Sequence, residues 1–133
     1  MNYPSLVAHL PLKNAEKADI PGLHIVANFE VQENTKLLTH HSFKKFIEEQ
    51  IDVCGLTKVG EVYHDFPGGG FTAVICLTES HLSIHTWPER NYITFDIFLS
   101  SFLKDNSSVT RSIYEAVVSF FNATITLEKI IER

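Results

Sequence analysis

From Leu23 to Val31 apolar residues occupy every second position, Leu23, Ile25, Ala27, Phe29 and Val31, with His24, Val26, Asn28 and Glu30 between them. A period of two is that of a half-buried strand, because successive side chains on an extended backbone point to opposite faces. The period then changes. Phe43, Ile47, Ile51 and Cys54 recur at helical spacing and Gly55 follows as a C-terminal cap, which predicts a helix from Leu38 to Cys54. Val59 to Phe66 reads as a strand, Pro67-Gly68-Gly69-Gly70 as a turn, and Phe71 to Leu77 as a strand buried on both faces, the two strands forming a hairpin. His81 to Trp87, stopped by Pro88, and Tyr92 to Leu99 are further extended stretches. Asn106 or Ser107 can cap a second helix with the apolar stripe Val109, Ile113, Val117 and Phe120, and Ala123 to Ile131 closes the chain as a strand.

The order βαβββ(β)αβ argues for an α+β fold, a two-layer sandwich in which an antiparallel sheet carries two helices on one face. Residues 1–21 read as an irregular lead-in closed by the Pro21-Gly22 turn, and residues 22–133 as one domain. A chain of 133 residues buries limited surface, and an aromatic content of 11% suggests more apolar area than two helices cover, so at least a dimer is expected. The net charge of -5 and the scatter of the 11 basic residues argue against a nucleic-acid partner. No apolar run approaches the roughly 18 residues of a membrane span, and the N-terminus lacks a signal-peptide core, so a cytoplasmic protein without membrane attachment is expected. Cys54 and Cys76, in apolar surroundings and without a CxxC pair, read as reduced core residues.

Reactive groups are densest from Thr78 to Glu89, and residue types alone leave three accounts open. Glu79, His81, Ser83 and His85 alternate as the solvated face of an ordinary strand would. His81 and His85, with His64 available, raise a metal site, but strand positions four apart lie roughly 13 Å apart, and HExxH and CxxC patterns are absent. Metal is therefore not expected. Two serines, two histidines and two carboxylates in one segment also suit nucleophilic chemistry, although no G-x-S-x-G elbow occurs.

The run Glu79-Ser80-His81-Leu82-Ser83-Ile84-His85-Thr86-Trp87-Pro88-Glu89 resembles the processing-site signature of prokaryotic S-adenosylmethionine decarboxylases. The likeness extends from Gly22-Leu23-His24 through the first helix, Tyr63-His64-Asp65-Phe66, the glycine turn and Phe71 to Leu77, as far as Asp96-Ile97-Phe98. It implies the same sandwich, assembled as a homodimer of processed protomers. It also implies a self-cleaving proenzyme: the Ser80 hydroxyl attacks the Glu79 carbonyl, an N-to-O acyl shift gives an ester, and β-elimination with loss of ammonia leaves a pyruvoyl group at residue 80. That group forms a Schiff base with the amine of a small amino-acid-type substrate and accepts the electrons released as CO₂ departs, with no exogenous organic cofactor. The implied substrate is S-adenosylmethionine, decarboxylated for polyamine synthesis. By the same resemblance His85 assists processing as a base, Thr72 supports the processing centre through its hydroxyl, Phe66 stacks on adenine, and Glu89 accepts hydrogen bonds from ribose hydroxyls. A base at His85 requires a bend or an adjacent strand, because an extended chain separates residues 80 and 85 by roughly 16 Å.

One position departs from the pattern. Where the family carries a proton-donating cysteine in Asp-x-Phe-x-Cys, this chain has Asp96-Ile97-Phe98-Leu99-Ser100. A hydroxyl is a far weaker acid than a thiol of pKa about 8.5, so Ser100 is expected to be a poor substitute. Cys76, roughly 13 Å from Ser80 if the chain is extended, is not expected to replace it. The exchange leaves open another amino acid, such as arginine or ornithine, as substrate, and a non-catalytic regulatory homologue.

Overall fold

The computed structural model describes residues 20–102 and 104–133, so the expected lead-in lies almost wholly outside the described residues. Strand β1 (Leu23–Glu30) buries Leu23, Ile25, Ala27 and Phe29 and turns His24, Val26 and Asn28 to the other face, as its period of two requires. The same alternation runs through β3 (Phe71–Leu77), β4 (Ser80–Trp87) and β5 (Tyr92–Leu99), whereas β2 (Lys58–Asp65) buries no residue fully and β6 (Thr124–Glu132) is exposed throughout. These strands form a six-stranded sheet in the order β2-β3-β4-β5-β1-β6, every neighbouring pair antiparallel. Helices α1 (His41–Val53) and α2 (Ser107–Phe121) cover one face, giving the expected two-layer α+β sandwich.

Phe43 of α1 lies at the centre of the buried layer, 5.9 Å from both Phe71 of β3 and Phe121 of α2 between ring centres. Removing such a ring costs about 3–5 kcal/mol, so this contact does much to hold both helices on the sheet. The structure corrects several sequence expectations. Helix α1 starts at His41 rather than Leu38, because Thr35–Leu37 forms a 3-10 turn that buries Leu37 and the Asp65 carboxylate accepts the His40 backbone N–H at 2.9 Å. The buried stripe of α2 is Thr110, Ile113, Tyr114, Val117 and Phe121, with Val109 and Phe120 only half-buried. It is rotated because the Tyr114 ring reaches Phe29 and Phe95 at 6.0 and 6.4 Å. Strand β3 is buried on one face alone, since among the described residues no second layer covers Thr72, Val74 and Cys76. Cys76 is therefore exposed rather than a core residue, while Cys54 is half-buried against the core. No helix among the described residues is long and apolar enough to cross a membrane.

The uncovered face carries His24, Val26, Val74, His81, Ser83, His85, Asp96 and Phe98 on adjacent strands. Val62, Leu127 and Ile131 extend its apolar part toward both edges, at 67, 40 and 45% exposure. That is a large apolar area for a face on which none of the described residues packs.

Candidate active site

The residues singled out by the sequence fall into two clusters, one at each end of β4. At its beginning, Thr78 and Glu79 turn the chain from β3 into β4, with Leu77 directly opposite Ser80. Ser80 has φ of 149°, a region that residues with a side chain seldom occupy, so backbone strain sits on the residue following the Glu79–Ser80 bond. Because β5 ends alongside at Leu99, the Ser100 backbone N–H donates to the Glu79 carbonyl oxygen at 2.8 Å. A donor at this oxygen stabilises negative charge developing there under nucleophilic attack. Beside the junction lies a cavity of about 380 Å³ whose lining includes Glu79, Ser100, Lys104 and Asn106.

At the far end of β4, a cavity of about 360 Å³ is lined by Phe66, Thr72, His85, Trp87 and Glu89 among others. The β3–β4 register sets Thr72 opposite His85, and the Thr72 hydroxyl lies 2.5 Å from His85 Nδ1. The glycine turn closes one wall. Gly70, at φ of 104°, approaches so closely that a Cβ there would sit 3.0 Å from the Thr86 carbonyl oxygen. Phe66 follows β2 and is 48% exposed, so it is not a core residue, and Glu89 is likewise exposed. An exposed ring and a nearby carboxylate on one cavity suit a ligand with a flat face and hydroxyl donors.

The two clusters do not meet within one protomer. Ser80 through Trp87 pair continuously with β5, so β4 contains no bend that would bring His85 back to Ser80. Five strand residues separate them by roughly 16 Å. The sequence estimate for Cys76 is also corrected, because the hairpin places it opposite His81 rather than at the end of an extended run.

Between the two ends lies a group that motif reading did not assign. The Asp96 carboxylate is reached by His24 Nε2 at 2.7 Å, by His81 Nε2 at 2.8 Å and by the Ser83 hydroxyl. A carboxylate only accepts, so all three are donors. Arg133 donates to His24 Nδ1 at 3.1 Å, which fixes the His24 proton on Nε2, the atom a metal would need. Although burial pushes the Asp96 carboxyl up, the hydrogen bonds from Ser83, His24 and His81 outweigh it and hold the group below its ordinary value. The signal available in the sequence was positional: residues 24, 81, 83 and 96 all fall on the polar phase of their strands.

Residues 23–133 match the family model described as S-adenosylmethionine decarboxylase. The chain belongs to the S-adenosylmethionine decarboxylase family. It is 39% identical over 93 residues to the S-adenosylmethionine decarboxylase proenzyme of Archaeoglobus fulgidus, covering 70% of this chain and 80% of that one. A second S-adenosylmethionine decarboxylase proenzyme, from Persephonella marina, is 39% identical over 77 residues, covering 58% of each chain. The crystal structure of the adenosylmethionine decarboxylase from Aquifex aeolicus superposes with a TM-score of 0.74 at 28% identity, covering 86% of this chain and 91% of that one. Within this S-adenosylmethionine decarboxylase family member, both ends of β4 lie in the matched region.

Proposed function

We propose that the chain is a proenzyme that cleaves itself between Glu79 and Ser80 and decarboxylates S-adenosylmethionine with the pyruvoyl group so formed. The observation that carries this reading is the junction itself: Ser80 held at positive φ, with its neighbour's carbonyl on the Ser100 amide. The Ser80 hydroxyl adds to that carbonyl, the Glu79–Ser80 C–N bond breaks, and the released nitrogen takes the proton while the chain continues through an ester. Loss of the residue-80 Cα proton then expels the Glu79 carboxylate, separating residues 1–79 from residues 80–133, and the resulting enamine tautomerises to an imine that water hydrolyses to the ketone with release of ammonia. The junction fits the group, since a serine stands where the ketone must form and a cavity adjoins it. When present, the group withdraws electrons from the substrate carbon as CO₂ leaves. The names of the relatives in Archaeoglobus and Persephonella support S-adenosylmethionine as substrate.

The separation of the two ends supports a homodimer. A two-fold axis through the middle of the uncovered sheet face would stack two sheets about 10 Å apart with their ends exchanged. The start of β4 in one protomer would then face the Phe66, Thr72, His85 and Glu89 end of its partner, making each site composite. His85 would act as base on the partner's residue 80, with Thr72 orienting its ring through Nδ1. Phe66 would stack on the adenine and Glu89 would accept from the ribose hydroxyls.

Mass spectrometry of the purified chain tests the first step, the expected result being two fragments with a blocked terminus at residue 80. Incubation with S-adenosylmethionine, arginine or ornithine, scored for CO₂ and amine, tests the second. Turnover of arginine or ornithine alone would leave the cleavage reading standing and reject the substrate.

A further inference from the structure

Ser100 leaves the proposed reaction without the family's thiol, and the cavity at the start of β4 offers another acid. Asn106 is only 3% exposed, and its Nδ2 donates to the Ser100 carbonyl oxygen at 2.8 Å. Because that oxygen can only accept, the amide orientation is fixed and Oδ1 points the other way, buried and without a partner among the described residues. A buried acceptor lacking a donor is uncommon and calls for one. Lys104, two residues earlier, lines the same cavity as Asn106, Ser100 and Glu79, and an ammonium offers three donors and no acceptor.

We propose that Lys104, steadied on Asn106 Oδ1, returns the proton to the substrate carbon after CO₂ departs. The inference rests on the decarboxylase reading above and names the acid of that same site. In the step, the bond from the α-carbon to the carboxylate breaks, CO₂ leaves, and the electron pair left behind takes a proton from Lys104 Nζ. The resulting neutral amine recovers a proton from water, and nothing is oxidised or reduced overall. An ammonium is a far stronger acid than the Ser100 hydroxyl, so it can supply the proton that the missing thiol would have given.

The test compares the processed wild-type chain with Lys104→Met, Lys104→Arg, and Lys104→Met combined with Ser100→Cys. Each is followed for self-cleavage by mass spectrometry, for turnover of S-adenosylmethionine, and for the chemical state of residue 80 by amino-terminal sequencing. All four should cleave. Lys104→Met should lower kcat about 100-fold, the scale of a lost general acid. Protons misdirected to the residue-80 carbon should convert that blocked terminus into a sequenceable alanine as turnover proceeds. Lys104→Arg should not restore kcat, because a guanidinium keeps its proton. Ser100→Cys should restore much of it in the Lys104→Met chain by supplying a thiol. Wild-type kcat and a terminus that stays blocked in Lys104→Met would overturn the inference, as would loss of self-cleavage in that variant or equal turnover in Lys104→Arg. If the wild-type chain never cleaves, the underlying decarboxylase reading falls and the inference with it; a cleaving, active wild type beside an indifferent Lys104→Met sinks the inference alone.

Discussion

The two ends of β4 are prepared for chemistry in different ways. At the Ser80 end the distinctive features are in the backbone: a positive φ, a turn that fixes Leu77 opposite Ser80, and an amide from the end of β5 on the Glu79 carbonyl. At the Trp87 end they are side chains: the Phe66 ring, the Thr72–His85 pair and the Glu89 carboxylate around one cavity. The difference matters for substitution. A backbone device survives exchange of its side chain, so a serine at position 100 keeps the amide that holds the carbonyl even though it discards the family's thiol. A side-chain device has no such tolerance.

The largest expected effect falls on the Ser80 end. Ser80→Ala removes the nucleophile and should abolish both cleavage and decarboxylation, leaving one chain of 15.1 kDa by mass spectrometry. Two fragments from that variant would break the assignment of the junction. Next comes the claim that the ends belong to different halves of a composite site. Ser80→Ala and His85→Ala chains, each nearly inactive alone, should regain about a quarter of wild-type activity when co-expressed in equal amounts, because random pairing makes half the dimers mixed and each has one intact site. Sedimentation showing only monomer, or no regain in the mixture, would place the whole site in one protomer.

The fold is readable where burial follows period, as along β1, β4 and β5. Alternation bounds Tyr92 to Leu99 correctly, the glycine turn and an apolar run bound Phe71 to Leu77, and the six strands and two helices appear in the expected order. The two errors on β3 have a common origin. Residue types tell which positions are apolar but not whether a face is covered, so Val74 and Cys76 read as buried beneath a layer that the described residues do not supply. Of the candidate site, the sequence singles out Phe66, Thr72, His85 and Glu89, and these line one cavity. The dihedral angle at Ser80, the amide at Ser100 and the buried oxygen on Asn106 are not legible, since none of these leaves a mark on residue type. The separation of Ser80 from His85 was foreseen as a difficulty, and the continuous β4–β5 register shows why one chain cannot remove it.

A smaller effect should sharpen the contrast from the Trp87 end. Phe66→Ala removes an exposed ring that holds no part of the core, so folding and self-cleavage should be unchanged while kcat/KM for S-adenosylmethionine falls about tenfold, the scale of one lost stacking contact with its buried area. Steady-state kinetics on the processed enzyme checks this. A fall in cleavage without a fall in kcat/KM would move Phe66 to the processing machinery.

The smallest effect belongs to neither end. Asp96 ties β1, β4 and β5 together midway along the uncovered face, through donors from His24, His81 and Ser83. Asp96→Asn should therefore cost stability, by about 1–2 kcal/mol for weakened charge-assisted hydrogen bonds. Measured in the Ser80→Ala chain, where cleavage cannot vary, this should lower Tm by roughly 5 °C. The pH dependence gives the effect its signature. The folded carboxyl is held below its ordinary value, so the ionised form contributes stability that is fully present above about pH 4, the unfolded value, and is lost as pH falls through the folded one. Denaturant melts should show a constant deficit in the variant from pH 5 to 7, narrowing below pH 4 as the parent carboxylate takes up its proton. A deficit that persisted unchanged at pH 2 would mean that Asp96 acts through packing rather than through its charge.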